Sequence, residues 1–110
     1  MSHYKQIKLM TAAEGSVATT STALEAHSFT LLGNDFPGAG LPKISATGIS
    51  TNTITLWERI DNTWVQVFKN DQAVNLDAAN PQESINAYGT YAVAGGGVGT
   101  AVYVTKMARY

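Results

Sequence analysis

The sequence predicts an all-β domain, a single antiparallel β-sandwich or small barrel of about seven to nine short strands. Three observations lead to this prediction. Apolar and polar residues alternate with period two along much of the chain. Turn-forming residues interrupt these runs roughly every ten residues. The best helical pattern, at residues 20–32, is dense in Ser and Thr, which are poor helix formers.

The strand candidates run along the whole 110-residue chain, which we expect to be one domain spanning residues 1–110. In order they are YKQIKLM (4–10), AHSFTLL (26–32), LPKISAT (41–47), the run at 53–70 described next, AVNL (73–76), GTYAVA (89–94) and TAVYVTKMA (100–108). Turn signals between them lie at 33–35, 37–40, 61–62, 70–71 and 95–97. Residues 1–10 begin polar, so they are expected to form either the first strand or an N-terminal arm.

The most patterned run is TITLWERIDNTWVQVFKN, residues 53–70, which we call the tryptophan ribbon. Its alternation and its central Asp-Asn pair predict a β-hairpin. A two-residue loop at Asp61 and Asn62 would place Ile60 opposite Thr63. A three-residue loop would shift the register by one residue and exchange the faces of one strand relative to the other.

The choice of register decides which residues of the ribbon are core. The register set by a three-residue loop gives the more uniform apolar face, although that loop requires Thr63 to take a left-handed conformation. We therefore expect the assignment of faces that this register gives, formed either by the three-residue loop or by a longer loop that keeps the same faces. The predicted core residues are Leu56, Ile60, Trp64 and Phe68 of the ribbon, together with Tyr91 of a later strand.

Trp57 and Arg59 then lie on the opposite face of the hairpin and are the main interface candidates, because Trp and Arg are enriched in binding hot spots. Two alternatives stay open. In the first, both faces of the ribbon are buried and Arg59 lies over Trp57. In the second, Trp57 is a sugar-stacking platform beside polar neighbours. The terminal residues His3, Tyr4 and Lys5 are further interface candidates, since a terminal strand is docked in its own sheet or offered to a neighbour.

Composition excludes several classes of function. Charged residues are only 14 % of the chain, and seven basic and eight acidic residues give a net charge of −1. No basic stripe favours nucleic acid, and no apolar run approaches the roughly 20 residues that span a bilayer. The absence of cysteine excludes disulfides and thiolate metal sites. The first residues lack the apolar region of a secretory signal peptide, so no such peptide is expected.

The sequence contains no recognisable catalytic constellation, so we expect no enzyme activity and no cofactor. His3 and His27 are the only histidines. The glycine run at 95–97 lacks the Lys-Ser/Thr of a phosphate loop and predicts a hairpin turn. Asp71 and Asp77 are oxygen ligands that calcium accepts, but their spacing matches no EF-hand, so turn carboxylates without a metal are expected.

Two segments carry a resemblance to a known group of proteins. The run ITLWERIDNTWVQV, followed some twenty residues later by NAYGTYAVAGGGVGTAVYVT, resembles small β-sandwich virion proteins of tailed bacteriophages. The resemblance covers residues 50–107. Ala92 departs from the pattern, where an Arg is common, and Asn62 stands in place of a glycine pair. The matching positions are Leu56, Arg59, Asp61, Thr63, Trp64 and Val67, then Gly89, Thr90 and Tyr91, and finally Gly99 and Thr100.

The resemblance implies a capsid decoration, or cement, protein that is made in the cytoplasm of the bacterial host, binds the capsid surface of the virion and stabilises it. Expected partners are the major capsid protein or other virion proteins, with assembly as a trimer or dimer and no nucleic-acid or membrane partner. Two alternatives stay open. One is a glycan- or host-surface-binding module that uses Trp57, and the other is a tail or baseplate component.

Overall fold

The computed structural model describes residues 2–32 and 42–109. The turn signals predicted at 33–35 and 37–40, and the first residue of the run at 41–47, lie outside the described residues. The elements are β1 (Ser2–Met10), α1 (Ser21–Ala26), β2 (Ser28–Leu31), β3 (Lys43–Thr47), β4 (Ile54–Ile60), β5 (Thr63–Gln66), β6 (Phe68–Lys69), β7 (Gln72–Ala73), β8 (Asn75–Leu76), β9 (Gln82–Ser84), β10 (Gly89–Gly95) and β11 (Ala101–Arg109).

The strands form two main antiparallel sheets, which confirms the predicted all-β class. Sheet A has the order β1-β11-β3-β9, and sheet B has the order β2-β10-β4-β5, with β8 also paired to β4. A separate two-stranded ribbon, β6-β7, leaves the edge of sheet B. Eight of the described strands, β1–β5 and β9–β11, have at least three residues. The other three, β6–β8, have two residues each, so the described strands number eleven, more than the seven to nine expected.

The inner faces of the two sheets form one hydrophobic core. Sheet A contributes alternate residues of its strands, so that Val102 and Val104 of β11 lie opposite Ala46 and Ile44 of β3. From sheet B, the buried side chains come chiefly from β2, β4 and β10: Phe29, Leu31, Ile54, Leu56, Tyr91 and Val93. In β2, β3 and the first half of β4 every second side chain is buried, so the period-two pattern there is explained by a two-layer sandwich.

Tyr91 shows how a polar atom is accommodated in this core. Its ring stacks on Phe29, with ring centroids 5.8 Å apart, and its hydroxyl donates a hydrogen bond of 2.8 Å to the carbonyl of Ala87. Burial raises the pKa of Tyr91, and the carboxylate of Glu58 raises it further. The hydroxyl therefore stays protonated and keeps its role as a donor.

The short helix α1 packs against β10 on the outer face of sheet B. Its first turn is capped by Thr20, whose Oγ1 accepts a hydrogen bond of 3.2 Å from the backbone N–H of Ala23. Leu24 of the helix is buried. Ala92 and Ala94 are also completely buried, although they point away from the inner core. Small side chains at these positions fit a face that a helix covers.

The tryptophan ribbon forms a hairpin with a two-residue loop, so the register predicted from the sequence is wrong. Ile60 pairs with Thr63, and Arg59 pairs with Trp64. Asp61 and Asn62 have φ values of 52° and 63°, as a type I′ turn requires. Asp and Asn tolerate this left-handed conformation, whereas the predicted loop would have imposed it on a β-branched threonine.

This register corrects three of the predicted core positions. Leu56 and Tyr91 are buried, but Ile60 is 52 % exposed and Phe68 is 62 % exposed. Trp64 is half-buried on the face opposite Leu56. The preference of the turn residues therefore outweighed the gain from a continuous apolar face.

The N-terminal residues belong to the sandwich. Strand β1 pairs with β11 from Ser2 opposite Arg109 to Met10 opposite Val102, with a register shift between Lys8 and Met10. The alternative of an N-terminal arm at 1–10 is therefore wrong for residues 2–10. Strand β1 lies at one edge of sheet A, and β11 is an inner strand between β1 and β3.

Candidate binding surfaces

Trp57 and Arg59, the main interface candidates, make contacts within the domain. The Trp57 indole N–H donates a hydrogen bond of 2.8 Å to Thr55 Oγ1, and its half-buried ring packs against the core cluster. The Arg59 guanidinium forms an ion pair of 2.9 Å with Glu25 of α1 and donates a hydrogen bond of 3.0 Å to Asn62 Oδ1. These contacts join the helix and the hairpin turn to sheet B, so both residues have a structural role.

Replacing Trp57 with phenylalanine tests this structural role. We expect the free energy of unfolding to fall by about 1 kcal/mol, because the ring contacts are largely kept while the hydrogen bond to Thr55 is lost. Urea unfolding followed by circular dichroism measures the change. Trp64→Phe is the matched control, since the half-buried Trp64 indole N–H makes no hydrogen bond within the described chain. Equal losses in the two variants would contradict the assigned role of the Thr55 bond.

The structure places His3, Tyr4 and Lys5 in edge strand β1, where their backbones lie opposite Ala108, Met107 and Lys106 of β11. Their side chains lie outside the described part of the molecule. Their assignment to an interface therefore stays a prediction.

One end of sheet B exposes large hydrophobic side chains, and we call this surface the apolar end. It comprises Leu32, Ile60, Val65 and Tyr88. The strand register places them at the same end of sheet B, because Leu31 pairs with Gly89, Tyr91 with Glu58, and Glu58 in turn with Val65.

The apolar end arises because sheet B extends beyond the region in which its inner face packs against the core. Ile54, Leu56 and Ile60 alternate on one face of β4, and Leu56 is 2 % exposed whereas Ile60 is 52 % exposed. Val65 is exposed on the same face of the neighbouring strand β5, and Tyr88, just before β10, is 74 % exposed. Exposed apolar side chains at one end of a sheet are typical of surfaces that contact another molecule.

The outer face of sheet A forms a shallow concavity of about 740 Å³, which we call the sheet A groove. It runs across all four strands of the sheet. Its lining residues are Gln6, Lys43, Ser45, Thr47, Gln82, Tyr103 and Thr105. The Lys8 ammonium lies 5.4 Å from the centre of the Tyr103 ring, which places a cation beside the groove's one aromatic side chain.

A second concavity of about 470 Å³ lies between the β6-β7 ribbon and the turn that follows β8. Lys69 of the ribbon forms an ion pair of 3.0 Å with Glu83 of β9 across it. Asp77 accepts hydrogen bonds from the backbone N–H groups of Ala79 and Asn80, at 3.0 and 2.7 Å. Its carboxylate therefore shapes a turn, and the described residues contain no group of three or more His, Asp or Glu side chains able to hold a metal ion.

The glycine run binds the protein's own backbone. The N–H groups of Gly95, Gly96 and Gly99 donate to the carbonyls of Val17, Thr53 and Ala12, each at 2.8 Å. Donors engaged in this way do not cradle a phosphate. The predicted hairpin turn is wrong for this segment, because it joins β10 of sheet B to β11 of sheet A, and these two strands do not pair.

His27 is likewise engaged within the domain. Its Nδ1 lies 2.8 Å from the Ala23 carbonyl, and its Nε2 lies 3.2 Å from Glu14 Oε2. These contacts join α1 to the preceding loop, so the ring is held in place on both sides.

Sequence reasoning missed both the apolar end and the sheet A groove. Ile60 was assigned to the core, because an apolar residue in an alternating run is usually buried. The groove residues are polar positions on four strands, and no local spacing connects them. Only the pairing of β1, β11, β3 and β9 brings them to one face.

No family model matches the chain, and no curated protein matches it significantly. Among the described residues, no helix is long and apolar enough to cross a membrane. The exposed surfaces are therefore the structural basis on which a function is inferred.

Proposed function

We propose that this protein is a virion structural protein of a tailed bacteriophage, a capsid decoration protein that binds the capsid surface and stabilises it. The observation that carries the proposal is the apolar end of sheet B. The resemblance of the tryptophan ribbon and of β10 to phage virion proteins supports the same assignment. The protein acts by binding and not by catalysis, and its place is the capsid surface.

The apolar end has the composition of a protein interface. Burial of exposed aromatic and aliphatic side chains such as Tyr88 and Ile60 against a partner favours binding. Each large side chain that becomes fully buried contributes about 1.5–3 kcal/mol to the binding free energy. Glu58 and Thr63 lie beside this surface and supply a polar margin. The sparse charge of the chain, 14 % of its residues, imposes little desolvation cost on a partner.

A small interface is sufficient for a decoration protein. A capsid presents many equivalent sites, and a dimer or trimer of the protein engages two or three of them at once. The second contact then forms at a high effective concentration, so modest affinity per copy gives strong overall binding. We therefore include a homo-oligomer and the major capsid protein among the partners.

Rebinding to stripped capsids tests the proposal. We expect purified protein to rebind capsids of the phage that encodes it once the native copies have been removed. Ile60→Lys should weaken rebinding by about tenfold or more, because binding would bury an unpaired charge. Sedimentation of capsid-bound protein over a concentration series measures the effect.

The matched control is Val98→Lys, which introduces the same charge at the opposite end of sheet B. Val98 is 85 % exposed in the connection between β10 and β11, so neither variant disturbs the core. Failure of the wild-type protein to bind capsids at saturating concentration, or equal binding by both lysine variants, would contradict the proposal. Binding to isolated tails but not to capsids would instead assign the protein to the tail or baseplate.

A further inference from the structure

We infer that the sheet A groove is a binding site for a carboxylated oligosaccharide, a chain of sugars that bears uronate or sialate groups. The inference rests on the outer face of sheet A and shares no residue with the apolar end. It is therefore independent of the proposed capsid contact.

The strand register builds the groove from two rows of side chains. Gln6 of β1, Thr105 of β11 and Lys43 of β3 lie opposite one another in the first row. The second row runs across all four strands and consists of Lys8, Tyr103, Ser45 and Gln82. Neighbouring strands are about 4.8 Å apart, so the second row spans about 14 Å, the scale of a short oligosaccharide.

The lining has the chemistry that sugars require. Tyr103 offers the apolar face of a ring that stands half-buried among polar neighbours, and such a face packs against the C–H side of a pyranose. Amide and hydroxyl groups around it donate and accept hydrogen bonds with sugar hydroxyls. They come from Gln6, Gln82, Ser45, Thr47 and Thr105. The volume of about 740 Å³ falls within the range of ligand sites, about 300–1,000 Å³.

The charge of the groove selects an acidic sugar. Lys43 is part of the lining, Lys8 stands over the Tyr103 ring, and the lining contains no Asp or Glu. A ligand carboxylate placed here meets two ammonium groups and no opposing carboxylate. Charge-assisted hydrogen bonds of this kind are about twice as strong as neutral ones.

The same residues argue against the other classes of partner. The lining has no aliphatic side chain to anchor a protein interface. Two lysines on a chain of net charge −1 do not neutralise the phosphate backbone of a nucleic acid. Trp57, the sugar platform considered from the sequence, has its indole N–H bonded to Thr55 and lies on sheet B.

The test is an array of acidic oligosaccharides, made of galacturonate, mannuronate or sialate units, each printed beside its carboxyl-reduced neutral form. We expect the full chain to bind at least one acidic member, and its neutral form about tenfold or more weakly. Titration calorimetry with that oligosaccharide should show losses of about tenfold or more for Tyr103→Ala and for Lys43→Gln. Tyr103→Phe should retain binding, because it keeps the ring.

Two control variants make the result specific. Lys69→Gln removes the same charge outside the groove lining, and Trp57→Phe alters the other candidate platform, so both should bind as the wild type does. A blank array for the wild type, equal binding of acidic and neutral forms, or unchanged binding by folded Tyr103→Ala would overturn the inference. Loss of capsid binding by Tyr103→Ala without any sugar binding would also overturn it and would make the groove a protein interface.

Discussion

Replacing Gly48 with alanine is expected to lower the free energy of unfolding by about 3 kcal/mol or more, one of the two largest effects expected of a single substitution in this chain. Gly48 has a φ of +73°, which L residues other than glycine adopt at a cost. A Cβ added there would also overlap the backbone carbonyl oxygen of Gly99. That atom belongs to the turn before β11 and has no flexible side chain through which to move aside.

Gly15→Ala is the matched control, because it separates the two causes. Gly15 has nearly the same φ, +76°, but a Cβ there would meet only Val98 Cγ2 at 3.7 Å, an ordinary van der Waals contact. We expect this variant to lose only about 1–2 kcal/mol, the cost of the backbone conformation alone. Urea unfolding of both variants measures the difference, and equal losses would show that the overlap at Gly48 is relieved without cost.

Replacing Leu56 with alanine is expected to have the other large effect and to lower the free energy of unfolding by about 2–5 kcal/mol. Leu56 is 2 % exposed between the two sheets, so its removal leaves a cavity. Ile60→Ala, on the same face of the same strand, should cost less than about 1 kcal/mol, because Ile60 is half in water already.

This pair of variants tests where the core ends along β4. Thermal and urea unfolding of both give the two losses under identical conditions. A loss at Ile60 as large as that at Leu56 would mean that the apolar end is covered in solution. In that case the capsid-binding surface would have to be sought elsewhere.

The fold class could be predicted because it depends on local patterns that the sandwich keeps. The alternation in β3 and in the first half of β4 reports burial of every second residue, as expected where a sheet has one buried face. The hairpin register could not be read from the same rule. At Asp61 and Asn62 the turn preference and the apolar pattern disagreed, and the left-handed preference of the turn residues decided the outcome.

Helix α1 and the binding surfaces were harder to predict for two different reasons. Helix α1 has only six residues, fewer than an isolated helix needs to be stable in water, so it depends on the Thr20 cap and on burial of Leu24 against β10. The sheet A groove depends on pairing between strands almost a hundred residues apart in the sequence, as with Gln6 and Thr105. Contacts of such separation leave no spacing that a single sequence displays.

The two proposed surfaces give the protein separate places for two partners. The apolar end belongs to sheet B, around Ile60 and Tyr88, whereas the groove is centred on Tyr103 of sheet A. A copy held on a capsid by one surface can therefore offer the other to a sugar. The Ile60→Lys and Tyr103→Ala variants should impair one activity each, and they distinguish the two proposals from each other.

The position of β11 has a consequence for how the protein is made. Strands β1 and β3 lie on either side of β11, and β9 follows β3 at the edge, yet residues 101–109 are translated after all of them. During translation, β1 therefore stays unpaired until β11, its neighbour in sheet A, has been synthesised. We expect nascent chains stalled before residue 101 to remain protease-sensitive and to need chaperone protection, with rapid closure of sheet A once β11 emerges.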